Sequence, residues 1–183
     1  MIDFVTLMSV SAAAGLFVVA CYVYWGLDDR DQKRWSPAFL VPGFVLAVTG
    51  LYMVFAWPLG KGVYASPYGE MSVLFGALLL GAGIALANEW SLIPVAIFGL
   101  FAGGAAIVFG ASFILLKLSL HPMVEGVSFI LAGLGGVFAL PTLYLRENRL
   151  FRLVGALILC VATALLALST YGGIWMHLST WPK

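Results

Sequence analysis

Charge is the scarcest property of this chain. Only 9% of its 183 residues are Asp, Glu, Lys or Arg, against about a quarter in an ordinary water-soluble domain. That shortage excludes a soluble globular domain, and it excludes disorder, which needs low hydrophobicity and abundant charge. Nine Lys and Arg against eight Asp and Glu leave a net charge of +1, so no basic surface exists to neutralise phosphates, and nucleic acid is ruled out as a partner. Cysteine is equally sparse. Cys21 and Cys160 lie inside apolar runs with no second Cys, His or Asp at ligand spacing, which reads as two small buried hydrophobes rather than a disulfide or a zinc site. The chain also has no CxxCH, no HExxH, no Walker loop and no GxGxxG opening a helix after a strand. Covalent haem, zinc-protease chemistry and phosphate-loop nucleotide binding therefore have no signature here.

Apolar residues make up 63% of the chain, with a mean hydropathy of +1.07. A helix needs roughly 20 apolar residues to cross a hydrocarbon core of about 30 Å. Read between charged or Pro/Gly-rich breaks, the apolar runs predict six spans: Val5 to Leu27, Phe39 to Trp57, Met71 to Ala87, Leu92 to Leu118, Met123 to Leu145 and Leu150 to Met176. Together they fill residues 1–183 as one transmembrane domain, an all-α six-helix bundle in contact with the lipid bilayer. No basic segment precedes the first run, and Ala12-Ala13-Ala14 comes too early for a signal-peptidase site, so the first span is expected to be retained.

Lys and Arg are held on the cytoplasmic side of a membrane. The first loop carries Arg30, Lys33 and Arg34 and the fifth carries Arg146, Arg149 and Arg152, six cations against Lys61, Lys117 and Lys183 on the other side. This bias predicts both termini outside. Trp25, Trp35, Trp57, Trp90, Trp175 and Trp181 all fall at or just beyond expected span ends, as an aromatic belt requires. Pro37, Pro67, Pro94 and Pro122 stand where spans two to five begin, where a missing N–H is harmless. Pro42 and Pro141 fall inside spans, where they free a carbonyl that neighbours must satisfy. Gly99 with Gly103, Ala77 with Gly81, and Ala132 with Gly136 form small-residue faces suited to close helix contact, within the bundle or in a homo-oligomer. A short echo between Phe44-Val45-Leu46-Ala47 and Phe129-Ile130-Leu131-Ala132 would fit an inverted repeat of three spans.

Polar groups are informative in such a chain because each must be paired or solvated. The outward half collects Glu70, Glu125, His121, His177 and Lys117 with Tyr64, Tyr68 and Tyr171, while the inward half reads as ordinary loop charge, Glu89 included. Pro67-Tyr68-Gly69-Glu70 and Pro122-Met123-Val124-Glu125 share a Pro-x-x-Glu pattern at an outward helix start. Two readings of these glutamates stand side by side. First-turn carboxylates interact with the positive end of the helix dipole and can cap a free N–H. Alternatively, Glu70 and Glu125 converge with His121 and His177, Tyr68 beside them, on a divalent metal or a non-covalent haem. His121 is followed by Met123, and His177 is preceded by Trp175 and Met176, soft surroundings that suit a large cofactor as well as lipid headgroups. Lys117 can snorkel to the outer interface, and the loop from Pro58 to Tyr68 is long enough to fold over the bundle mouth as a lid.

The run Trp57-Pro58-Leu59-Gly60, then Tyr64, Tyr68-Gly69-Glu70 and Leu74-Phe75-Gly76, resembles the signature of an uncharacterised prokaryotic family of small membrane proteins, the domain of unknown function 981 type. The family pattern has Trp-Pro-Leu-Pro-Gly, a Tyr-Asn pair and Phe-Gly-Glu before a Leu-Phe-Gly helix. Here the second Pro is missing, Ala65 replaces the Asn, and Tyr68 replaces the Phe. The resemblance implies a prokaryotic cytoplasmic membrane and draws attention to Glu70, but supplies no activity. Three classes of function follow from the residues: a redox or metal-binding protein from the His/Glu grouping, a transporter or channel from the small-residue faces and internal prolines, and an accessory subunit of a larger membrane complex, which needs no chemistry.

Overall fold

A computed structural model describes residues 4–57, 66–119 and 121–179. Six long helices, α1 (Phe4–Tyr24), α2 (Ser36–Ala56), α3 (Met71–Ala87), α4 (Ile93–Leu116), α5 (Pro122–Tyr144) and α6 (Arg149–Ser179), account for most of them, with no strand among the described residues. All six are long and apolar enough to cross a membrane. The expected spans are found with shifted ends. α1 stops at Tyr24 because a 3-10 turn begins at Gly26. α2 starts at Ser36 rather than Phe39, with Pro37 in its first turn, and Pro94 and Pro122 occupy the same place in α4 and α5. A π turn over Ser66–Glu70 runs directly into α3.

Helices that are apolar all round give no stripe to direct association, and in lipid no hydrophobic force favours helix contact over lipid contact. Small residues decide it instead. Gly43 of α2 meets Gly76 of α3, Gly50 of α2 meets Gly69 of the π turn before it, and Gly103 and Gly110 of α4 meet Gly133 and Gly126 of α5. A Cβ placed on Gly103 would lie 2.5 Å from the Gly133 carbonyl oxygen, and one on Gly133 would lie 2.6 Å from that of Gly103. Backbones this close gain dispersion and Cα–H···O contacts that larger side chains would forbid. Gly99 and Gly136 belong to the same α4/α5 seam, so these small-residue faces work within one chain.

Each helix touches the next in sequence and α6 returns to α1, closing a ring in chain order. The seam between α3 and α4 is looser. There a Cβ on Gly81 would meet the Val95 side chain, and one on Gly99 the Leu78 side chain, each at an ordinary 3.5 Å. The ring surrounds a half-open apolar lumen of about 260 Å³, to which Leu16, Leu46, Leu79, Ala102, Ala132 and Leu159 contribute from the successive helices. Its outer surface is apolar as well: Phe55, Phe101, Leu115 and Leu168 are each more than 70% exposed, as lipid-facing side chains are. Trp25, Trp57, Trp90 and Trp175 stand exposed at helix ends, the expected belt; Trp181 lies outside the described residues.

Candidate functional site

The six-helix course places the α1–α2, α3–α4 and α5–α6 connections at one end, with the Arg residues, and the α2–α3 and α4–α5 connections at the far end. At the far end the π turn aims Tyr68 across the loose α3/α4 seam. Its ring lies edge-on to Phe113 of α4 at 5.5 Å and to Phe129 of α5 at 6.2 Å, and those two rings are 5.3 Å apart. Phe113 is fully buried. The Tyr68 hydroxyl donates to Oε2 of Glu125, a contact between residues that sequence separates widely. Tyr68 also lines the lumen together with Met71, Ser72, Ser128 and Phe129. Inserting one turn of π geometry shifts the register of the side chains that follow, which is a recurrent way of presenting a residue at a site.

The sequence expectation of Tyr68 beside Glu125 is therefore met, while Glu70 stands apart. Residues two apart on a helix point about 200° away from each other, and Glu70 is exposed, with no hydrogen bond or ion pair among the described residues. Capping explains neither carboxylate: Glu70 makes no side-chain cap bond at the start of α3, and Glu125 engages Tyr68. His121 sits at the N-cap of α5 without capping it and is exposed. The backbone of His177 belongs to the last turns of α6, but its side chain lies outside the described residues, as does the loop 58–65 with Lys61 and Tyr64. Among the described residues no three His, Cys, Asp or Glu side chains form a group able to hold a metal ion. Lys117 terminates α4 in the left-handed region, φ 51°, and is exposed.

The Arg-rich end is not ordinary loop charge. Arg152 is 3% exposed. Its Nε donates to the Val23 carbonyl at 2.9 Å, Nη2 to the Tyr24 carbonyl, and Nη1 both to the Arg146 carbonyl at 2.9 Å and to Oδ2 of Asp28 at 2.7 Å. The last carbonyls of a helix have no partners within it, and a planar guanidinium fork can satisfy several at once. Arg152 thus ties the end of α1 to the start of α6 and closes the ring. Sequence reasoning missed it because three arginines crowd one loop and nothing local distinguishes the buried one.

Around it the α1–α2 connection is equally committed. Tyr22 donates to Gln32 Oε1 at 2.7 Å, and the Gln32 amide donates to the carbonyls of Gly26 and Asp29. Asp29 accepts from the Trp35 indole at 2.9 Å and pairs with Arg34. Donation from that indole, more than the Arg34 charge, holds the Asp29 carboxyl below the ordinary 3.8. Lys33 pairs with Glu89 at 3.3 Å, both well exposed, so Glu89 is hydrated and also bridges two connections. A vestibule of about 440 Å³ lies here, bordered by Asp29, Gln32, Glu89 and Arg146 as well as by apolar side chains. Tyr22, Leu27, Leu92 and Leu143 border both vestibule and lumen and form the partition between them.

Fold and site together define a multi-pass membrane protein built as a ring of helices around an apolar lumen, with a buried arginine latch at one end and a tyrosine–glutamate pair at the other. The chain belongs to the family DUF981, a protein of unknown function, whose model matches residues 1–180. No curated protein and no solved structure matches the chain.

Proposed function

We propose that the protein holds a small lipophilic molecule in the lumen of its helix ring, within the plane of the membrane. The observation that carries this reading is the lumen itself: about 260 Å³ of apolar space, bordered by all six helices, with Tyr68 at one end. An engineered apolar cavity of about 150 Å³ already admits benzene. Among the described residues an ion would find no charged side chain on the lumen wall, and desolvating it there would cost several kcal/mol, so this geometry favours a lipophile over a conducted ion. Native mass spectrometry of gently purified protein tests it. Wild type should retain one lipophilic molecule, and Ala132→Phe, which fills the lumen from α5, should retain none. A wild type that neither retains nor takes up such a molecule would overturn the reading.

A second reading keeps the redox or metal class, in which His121 and His177 with Glu70 and Glu125 hold a divalent metal or a non-covalent haem. The position of Glu125, turned toward Tyr68 at the helix start that also carries His121, favours it. Metal analysis and a visible spectrum, repeated for His121→Ala and His177→Ala, separate the two. We further place the chain as a single transmembrane domain in a prokaryotic cytoplasmic membrane with the Arg-rich end inside, on the six-to-three cation bias. Labelling of an introduced thiol near Arg149 from outside intact cells would contradict that orientation.

A further inference from the structure

Resting on the reading of the lumen as a lipophile site, we infer that its ligand enters and leaves sideways, from the bilayer, through the α3/α4 seam. The other five seams are shut by close contacts. On α2/α3 a Cβ placed on Gly76 would lie 2.6 Å from the Ala47 nitrogen, and on α4/α5 one on Gly110 would lie 2.6 Å from the Gly126 carbonyl oxygen. On α5/α6 one on Gly135 would run into the Leu159 side chain. Arg152 and the packed group of Leu16, Ala20, Leu159 and Ala162 hold α1 to α6. Ring contacts of Phe4 with Tyr52 at 4.6 Å and of Tyr22 with Phe39 at 5.4 Å hold α1 to α2. Between α3 and α4 the glycines meet only side chains, Gly81 against Val95 and Gly99 against Leu78, each at 3.5 Å. No hydrogen bond or ion pair joins these two helices among the described residues.

The lumen lies directly behind that seam. Ser72, Phe75 and Leu78 of α3 and Gly99, Ala102 and Ala106 of α4 all border it. Ala77 precedes Gly81 by one turn on the same face of α3; it is exposed and does not border the lumen, so lipid reaches the outer side of the seam. The two helices are tied at their ends, by the connection 88–92 at the Arg-rich end and by Tyr68 packed on Phe113 at the other. Between those ties only van der Waals contact has to yield, and helix displacements of that kind occur in microseconds to milliseconds. A path through the vestibule would instead carry the ligand past Asp29, Glu89 and Arg146 and displace Tyr22, which is bonded to Gln32 and edge-on to Phe39. The lateral path keeps apolar surface out of water throughout, so it forfeits none of the hydrophobic stabilisation.

The test locks the seam. In a chain carrying Cys21→Ala and Cys160→Ala, Gly81→Cys with Val95→Cys puts one sulfur near the Val95 Cγ2 position, 3.5 Å from a Cβ at residue 81, which a yielding seam brings within disulfide geometry. Leu40→Cys with Gly83→Cys does the same on the α2/α3 seam, where the Leu40 Cγ lies 2.7 Å from a Cβ on Gly83. The probe is a ten-carbon alcohol with a terminal trifluoromethyl group, the length that a lumen of about 260 Å³ takes when scaled from a benzene-sized cavity of about 150 Å³. Fluorine exchange NMR in detergent reads its exchange rate and its occupancy separately. Oxidising the α3/α4 pair should slow exchange about tenfold or more, with occupancy unchanged and the rate restored by reductant, because the cross-link stops the gating motion. Oxidising the α2/α3 pair should leave the rate as it was. Ala77→Trp, which fills the outer side of the seam, should slow exchange likewise, and Val48→Trp, on an exposed face of α2, should not. An unchanged rate in Ala77→Trp or in the oxidised α3/α4 pair, or equal slowing by both pairs, would overturn the portal while leaving the lumen reading intact. Wild type that takes up no probe would overturn the lumen reading itself.

Discussion

The two ends of the helix ring use polar groups in opposite ways. At the Arg-rich end, one guanidinium meets three backbone carbonyls and a carboxylate, and the surrounding Gln32, Asp29 and Trp35 are bonded to one another. Every one of those groups holds helices in place. At the far end, Tyr68 and Glu125 bond across a loose seam, and Tyr68 borders the lumen. The difference teaches that polarity in a membrane bundle has to be sorted by whether it ties helix ends together or borders an open space. A group that ties helix ends is architecture, and a polar group on the lumen wall is a candidate site.

The comparison breaks first if Arg152 is not architectural. Arg152→Leu leaves three carbonyls and the Asp28 carboxylate without their donor, and should cost about 3 kcal/mol, a fall on the order of 10 °C in the thermal midpoint of the detergent-solubilised protein. Arg152→Lys should recover less than half of that, because an ammonium lacks the planar fork. Between the two ends, Gly103→Val should cost about 2 kcal/mol through overpacking of the α4/α5 seam. Gly104→Val is the control, since a Cβ there meets nothing within 4 Å and the midpoint should barely move.

At the far end Tyr68→Phe should cost about 1 kcal/mol, less than Arg152→Leu, because the aromatic contacts with Phe113 and Phe129 survive. Chemical shifts of labels on α1 and α6 should stay unchanged in that variant, whereas Arg152→Leu should move them. The smallest expected effect is a pH dependence confined to the Arg-rich end. Asp29 titrates below its ordinary 3.8 when folded, so its contribution is fully present above that value and is lost as the pH falls through the folded one. Hydrogen exchange of the α1–α2 connection should therefore quicken in mild acid below about pH 4, and Asp29→Asn should remove that dependence.

How much of this was legible in the sequence depended on whether the cause was local. Span number and approximate limits follow from apolar runs and from prolines at helix starts, because backbone satisfaction in lipid leaves few alternatives. The convergence of Tyr68 and Glu125 could be read from two Pro-x-x-Glu starts at one level. Glu70 could not be sorted from Tyr68 by level alone, since the helix turns it outward. Arg152 was illegible because its carbonyl partners, Val23 and Tyr24, lie more than a hundred residues away. Ring closure by α6 on α1 was illegible too, since helices apolar all round mark no preferred face. A usable signal was the recurrence of glycine at 69, 76 and 83, in the π turn and along α3, spaced by about two helical turns and so aligned along one face.

Whether the lumen receives a ligand is read directly by photo-crosslinking. A ten-carbon alcohol carrying a diazirine, incorporated with the protein into lipid nanodiscs and irradiated, should label Phe129, Ala132 and Leu79 on the inner wall, with peptide mass spectrometry locating the adducts. Excess decanol should suppress that labelling and leave lipid-facing adducts untouched. Adducts confined to outward residues such as Phe101, Leu115 and Leu168, with none on the inner wall, would contradict it.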